Sequence, residues 1–183
     1  MANKQVGIFV GSLRKESFNR KIANYLVSSS PEGLELKILE IGQLPFYNED
    51  LDNGNPPKEF VDFRNAVKEL DAVLFITPEY NRSIPAVLKN AIDVASRPYG
   101  KNVWDGKPGA VISSSIGAIG GFGANHILRQ SLVFINVLAM AQPEAYIGNV
   151  AKIFDDSGKL TNTDSQKFLD TFMKAFHNWI DKI

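Results

Sequence analysis

The sequence contains no cysteine, which excludes disulfide bonds, thiolate nucleophiles and thiolate metal ligands from its 183 residues. It also lacks an excess of either charge: Lys plus Arg and Asp plus Glu are both 20, so no net field attracts nucleic acid or anionic lipid. No apolar run approaches the ~20 residues of a membrane span, and the N-terminus does not read as a secretory signal. We therefore expect a cytoplasmic protein with no membrane span and no nucleic-acid partner.

Histidine is also scarce, with two residues, His126 and His177, that are far apart and have no paired carboxylates around them. A metal site or a Ser-His-Asp triad is therefore not expected, and His126 is more typical of a packing or interface residue. Asp50 and Asp52 occur in the polar stretch NEDLDNGNPP, residues 48–57. Its proline and glycine indicate a loop excursion, so Asp50 and Asp52 are not expected to be a pair of catalytic carboxylates. At most, the loop borders a substrate entrance.

Apolar runs of strand length alternate with segments of helical periodicity along the chain. The first and third runs, VGIFV and AVLFI, are apolar throughout, which is typical of central strands in a parallel sheet covered on both faces. Five such runs favour a flavodoxin-like, doubly wound α/β fold with a five-stranded parallel sheet of order 2-1-3-4-5, in a single domain over residues 1–183. The predicted strands are residues 6–10, 34–39, 72–77, 110–113 and, more weakly, 140–147.

In this strand order, ligands bind outside the carboxyl ends of the strands, where the loops after strands one, three and four meet. The first loop, GSLRKESFNR, residues 11–20, joins a buried strand to a helix N-terminus, a place where backbone N–H groups bind anions. Ser12, Ser17 and Asn19 add neutral donors and Arg14 adds a planar cation, so a phosphate ester is the favoured ligand. The alternative is that the basic residues form a solvated face and that Ser17 only caps the helix.

The second loop, TPEYNRSIPAVLKNAID, occupies residues 77–93. Pro78 restricts the backbone, Asn81 tolerates a left-handed conformation, and Pro85 suits the first turn of the next helix. Such a rigid turn holds its N–H groups outward, as a planar heteroaromatic edge would require. A plain strand-to-helix turn is the equally weighted alternative.

The third loop, SSSIGAIGGFG, residues 113–123, has glycine at 117, 120, 121 and 123, which allows a flat ring to lie against its backbone. Its position after a late strand and its spacing do not match the G-x-G-x-x-G pattern of nicotinamide-binding folds. A flexible connector is the alternative.

The segments GSLRKESFNR, PEYNRSIPAVLKNAIDVASRP and SSSIGAIGG, with LRQSLVFINV and QPEAYIG after them, resemble those of NADPH-dependent FMN reductases. This family of flavodoxin-like fold includes bacterial quinone, chromate and azo-dye reductases, and the resemblance covers most of residues 7–148. It implies that FMN phosphate is bound by Ser12, Arg14, Ser17 and Asn19. It places the isoalloxazine edge at Pro78, Glu79, Tyr80 and Asn81, and the ring and ribityl side at Ser115 and Gly117, with Gly120 and Gly121 beside them.

The resemblance implies an FMN-dependent oxidoreductase in which hydride passes from NADPH or NADH to flavin N5. An acceptor such as a quinone, an azo dye, free flavin or chromate then takes the place of the nicotinamide, in a ping-pong reaction without a catalytic side chain. It also implies a homodimer or homotetramer. The fourth predicted helix agrees with this, because it is apolar around much of its circumference: Ile127, Leu128, Leu132, Val133, Phe134, Ile135 and Val137.

Two other functional classes are alternatives for a chain of this fold. A flavodoxin-type electron carrier would bind FMN without using a nicotinamide. Such carriers are typically strongly acidic, whereas this chain has a net charge of +0. A non-enzymatic domain that has lost the flavin would share the fold, since fold does not determine function. The intact phosphate loop argues against that third class.

Overall fold

The computed structural model describes residues 2–183 and shows the expected alternation of strands and helices. Within these residues no helix is both long and apolar enough to cross a membrane. The elements are β1 Lys4–Val10, α1 Phe18–Ser28, β2 Leu34–Leu39, α2 Glu49–Asp52, α3 Lys58–Lys68, β3 Ala72–Pro78, α4 Ala86–Ala95, β4 Pro108–Ser114, α5 Phe122–Phe134, β5 Leu138–Ala139, β6 Ala145–Ile147, a 3₁₀ turn Val150–Lys152, and α6 Thr163–Ile180.

The strands form one parallel sheet in the predicted order, with β2, β1, β3 and β4 adjacent in turn. The fifth position differs from the prediction, which placed one strand over residues 140–147. Two short strands share it: β5 pairs with the start of β4, and β6 pairs with its end. Pro143 lies between them and lacks the N–H that a continuous ladder would require at that residue.

Helices cover both faces of the sheet, which explains why β1 and β3 are apolar at successive positions. Alternate residues of these strands pack against α1 and α6 on one face. The intervening residues pack against α3, α4 and α5 on the other face, where Phe9 and Phe75 surround the fully buried Trp104. Trp104 also donates its indole N–H to the carbonyl of Ile92 at 3.1 Å, so its polar atom is satisfied.

The stretch predicted as a polar excursion, residues 48–57, contains the short helix α2. Asp52 is buried there and accepts two hydrogen bonds of 2.7 Å from the Arg64 guanidinium on α3. Because both carboxylate oxygens are used in this bidentate pair, Asp52 fastens the excursion to the helix layer.

Candidate functional site

Three loops meet at the carboxyl ends of β1, β3 and β4. The backbone N–H of Gly11 donates to the carbonyl of Ile76 at 2.9 Å, and a Cβ at Gly11 would lie 3.1 Å from Thr77 Oγ1. Glycine therefore lets the first loop run directly against the second. The crevice between the loops is lined by Ser12, Arg14, Ser17, Phe18, Asn19, Pro78, Glu79, Tyr80, Ser114, Ser115, Ile116 and Val150.

The first loop presents backbone donors that have no acceptor in the described chain. Within residues 2–183, the N–H groups of residues 12–16 and of the first two residues of α1 donate no hydrogen bond. Ser17 caps α1, because its Oγ accepts the N–H of Arg20 at 3.2 Å, and its own hydroxyl hydrogen has no acceptor among these residues. Free N–H groups at the positive end of a helix form the arrangement that binds phosphate groups.

Arg14 is the cation available to this crevice. Arg20 is held by Glu40 through two 2.7 Å hydrogen bonds, which lower the pKa of the Glu40 carboxyl, and Lys21 pairs with Glu16 at 3.2 Å. Arg14 lines the crevice and has no carboxylate partner within residues 2–183. Its guanidinium is therefore free to bind an anionic ligand.

Asn19 connects the first loop to the end of β4. Its side chain is buried, and its Oδ1 accepts a 3.1 Å hydrogen bond from Ser114 Oγ. The Nδ2 group makes no hydrogen bond elsewhere in the described residues, so it remains available as a donor at the crevice. The Ser114 contact fixes the orientation of this amide before any ligand arrives.

The second loop is a tight turn closed by two reciprocal backbone hydrogen bonds of 2.9 Å between Tyr80 and Ser83. Asn81 and Arg82 at its centre have φ of 51° and 64°, the left-handed conformation of a type I′ turn. The prediction for Asn81 is confirmed, whereas nothing in the sequence indicated a left-handed Arg82. The N–H of Asn81 has no acceptor in residues 2–183, so it is a free donor of this turn.

The third loop is fastened to the segment after β6 and is not a loose connector. Ser115 exchanges hydrogen bonds with Ile147 and Val150, and Gly117 accepts from the N–H of Asn149 at 3.1 Å. Gly120 has φ of 64°, and a Cβ there would lie 2.6 Å from the carbonyl carbon of Tyr146. Gly117 and Gly120 thus pack against residues 145–150.

Eight of the twelve residues predicted for the flavin site line the crevice: Ser12, Arg14, Ser17, Asn19, Pro78, Glu79, Tyr80 and Ser115. Asn81, Gly117, Gly120 and Gly121 belong to the same loops but are not among the lining residues. The residues that the sequence reading missed are Phe18, Ser114, Ile116 and Val150. Three of the four belong to the predicted loops, whereas Val150 follows residue 148, where the segments that carry the family resemblance end.

The histidines lie outside this crevice. His126 on α5 is 2.9 Å from the Tyr146 hydroxyl, and its ring packs against Phe122. Across residues 2–183, histidine, aspartate and glutamate side chains form no cluster of three or more suited to a metal ion.

A parallel sheet of order 2-1-3-4-5, with a phosphate-type cradle and a rigid turn at its switch point, defines a flavodoxin-like mononucleotide-binding fold. The chain belongs to the NADPH-dependent FMN reductase family, whose model matches residues 5–152. The family pattern therefore extends to the 3₁₀ turn that contains Val150, beyond the predicted limit near residue 148.

Relatives along nearly the whole chain agree with this membership. The chain is 57% identical to a quinone reductase of Pseudomonas putida over 175 residues, which are 96% of this chain and 94% of the relative. It is 42% identical to a 2-hydroxy-1,4-benzoquinone reductase of Burkholderia over 176 residues, 96% of each chain.

Solved structures show the same relationship. The flavoenzyme NAD(P)H:(acceptor) oxidoreductase FerB of Paracoccus denitrificans has a TM-score of 0.90 and 44% identity, with 98% of each chain covered. A flavodoxin of Pseudomonas aeruginosa, 20% identical with a TM-score of 0.56, shares the fold.

Proposed function

We propose that the chain is an FMN-dependent oxidoreductase that transfers reducing equivalents from NADPH or NADH to quinones and similar acceptors, including azo dyes, free flavin and chromate. The observation that carries this proposal is the cradle of free N–H groups and the unpaired Arg14 at the switch point of the sheet, in a member of a family of FMN reductases. When bound, FMN accepts a hydride at N5 and passes the electrons to the acceptor.

The donor set of the crevice fits a phosphate ester joined to a flat ring. We assign the phosphate to Ser12, Arg14, Ser17 and Asn19. The side-chain donors of the first three have no acceptor within the described residues, and the amide of Asn19 is already oriented by its hydrogen bond with Ser114. The ring edge is assigned to residues 78–81, where the free N–H of Asn81 is held in place before the ligand binds. Such preorganised donors stabilise negative charge that develops on a bound ring. Ser115 lies on the ribityl side, and Gly117 and Gly120 shape the loop that carries it.

A flavodoxin-type carrier without nicotinamide activity is the less favoured function. The chain has a formal net charge of +0, whereas carriers that dock on basic partners are typically strongly acidic. Both relatives described above are named as reductases of quinones. We further propose that residues 1–183 act as one domain, while the cytoplasmic location and the absence of a nucleic-acid partner stay predictions.

We expect ping-pong kinetics, because the described structure offers one crevice with the donors for a flavin, and donor and acceptor must then use the same ring face in turn. Initial rates at several fixed quinone concentrations and varied NADPH should give parallel double-reciprocal lines. High quinone should inhibit competitively against NADPH. Intersecting lines without such competition would contradict a shared site.

We propose that the working unit is a homodimer or homotetramer, with α5 contributing to the contact between copies. Leu128 and Leu132 on this helix are buried, as a core-facing stripe should be, but Val133 and Phe134 are 77% and 75% exposed. The apolar circumference predicted from the sequence is therefore only partly covered by the chain itself. Large exposed apolar side chains next to each other are typical of protein interfaces.

Light scattering of the FMN-loaded protein at micromolar concentration should therefore give a mass well above the 20.2 kDa of one chain. Val133→Asp should lower that mass, because a charge buried between copies is not compensated. Val27→Asp, on the distant helix α1, serves as the matched control and should leave the mass unchanged. A 20.2 kDa species that is fully active would remove the oligomer from the proposal.

A further inference from the structure

The Glu79 carboxylate connects two of the loops that form the crevice. Its Oε2 accepts the backbone N–H of Ala124 at 3.1 Å, and its Oε1 accepts from Arg82 Nη1 at 3.1 Å. The side chain is only 14% exposed. Both oxygens are therefore used by the protein itself, one across a gap of 45 residues in the chain and the other within the turn.

Helix α5 depends on this carboxylate for its N-terminal cap. The residue in the capping position is Gly121, in a left-handed conformation, and it has no side chain to satisfy the first helical N–H groups. Ala124 is the third residue of the helix, whose N–H a capping Ser or Asp would normally accept. Glu79 supplies that acceptor from another loop, and its negative charge complements the positive end of the helix dipole.

Gly123 gives independent support for the contact. Its φ is not positive, so its backbone conformation does not require glycine. A Cβ at this position would lie 3.0 Å from Glu79 Oε2 and 3.2 Å from the carbonyl oxygen of Arg82. The turn thus packs against the start of α5 so closely that a side chain at residue 123 would push the two apart.

We propose that Glu79 is a positioning residue whose carboxylate clamps the Tyr80–Ser83 turn onto the start of α5. The clamp fixes the second loop relative to the third, which leads directly into α5, and it helps hold Arg82 in its left-handed conformation. In the flavin site this keeps the ring-binding donors of residues 78–81 in register with Ser115. The phosphate cradle of the first loop does not depend on it. This inference rests on the proposed function, because it concerns the same crevice.

The test is the dissociation constant of FMN, measured by fluorescence quenching with purified apoprotein whose fold is verified by circular dichroism. Glu79→Ala should weaken FMN binding roughly tenfold, because the turn that carries the ring-binding donors is no longer held in place before the ligand binds. Gly123→Ala should produce a similar loss, because its Cβ displaces the same carboxylate without removing it. Should Glu79→Ala fail to fold, Gly123→Ala decides the question.

Two further variants separate positioning from a general effect on stability. Glu79→Gln keeps an oxygen for the Ala124 N–H. Its NH2 group cannot accept from Arg82, but that side chain is exposed and can turn to solvent, so much of the affinity should be recovered. In Glu79→Ala combined with Arg14→Ala, the two fold-changes should multiply, because independent parts of the ligand are affected. FMN affinity unchanged within about twofold in both Glu79→Ala and Gly123→Ala would overturn the proposal, as would a missing rescue or non-multiplicative effects. A wild-type protein that does not bind FMN would instead overturn the proposed function.

Discussion

Arg14→Ala is expected to weaken FMN binding by about tenfold to a hundredfold, since charge-assisted hydrogen bonds contribute roughly 1.5–3 kcal/mol each. Arg14 is exposed and has no carboxylate partner in residues 2–183, so its removal orphans no other charge and should leave the fold intact. Isothermal titration of the apoprotein with FMN measures the change. Riboflavin, which lacks the phosphate, should bind poorly to the wild type. It should bind the variant about as weakly as it binds the wild type.

The matched control for this prediction is Lys15→Ala. It removes the same charge one residue further along, from a side chain that does not line the crevice. FMN affinity should then change by less than about threefold, because exposed charges are screened by solvent and salt. An unchanged FMN dissociation constant in folded Arg14→Ala would show that the phosphate is bound elsewhere.

Gly120→Ala should be the most destabilising of the substitutions proposed for the site. A Cβ at Gly120 would lie 2.6 Å from the carbonyl carbon of Tyr146, and the residue has φ of +64°. Left-handed strain and overpacking together cost about 2–5 kcal/mol. This should lower the melting temperature by about 5–15 °C in a chain of this length. Differential scanning calorimetry of the apoprotein measures it.

Gly106→Ala controls for the strain alone. Gly106 has φ of +72°, and a Cβ there would have no atom within 4 Å. Only the cost of the left-handed conformation, about 1–2 kcal/mol, should be seen. Equal losses in the two variants would mean that the third loop yields to the new methyl group, so the close packing against β6 would not be what requires glycine.

The strand order and the meeting of three loops were predictable because they depend on periodicity. The strands VGIFV and AVLFI are apolar throughout since helices cover both faces of the sheet, and parallel order then places the switch point. The fifth strand was harder, because β5 and β6 have two and three residues and carry little pattern. Short edge elements are specified by their neighbours more than by their own sequence.

The roles of individual site residues were less predictable, because several depend on contacts between distant parts of the chain. Glu79 was expected at the ring edge, which stays a prediction, but its contact with the start of a helix that begins 43 residues later was not foreseen. Gly120 was expected along the ring and packs against β6. Asn90 on α4 is buried and accepts the N–H of Tyr47 at 2.7 Å, a contact with a residue 43 positions earlier. No local pattern records such contacts.

We expect this chain to hold FMN at the crevice and to exchange electrons there with a nicotinamide and then with a quinone. The most direct measurement is the visible absorbance of the FMN-loaded protein under argon. One equivalent of NADPH or NADH should abolish the oxidised flavin absorbance with no acceptor present, and one equivalent of a benzoquinone should then restore it. Bound flavin whose absorbance neither NADPH nor NADH changes would contradict the account and would favour an electron carrier instead.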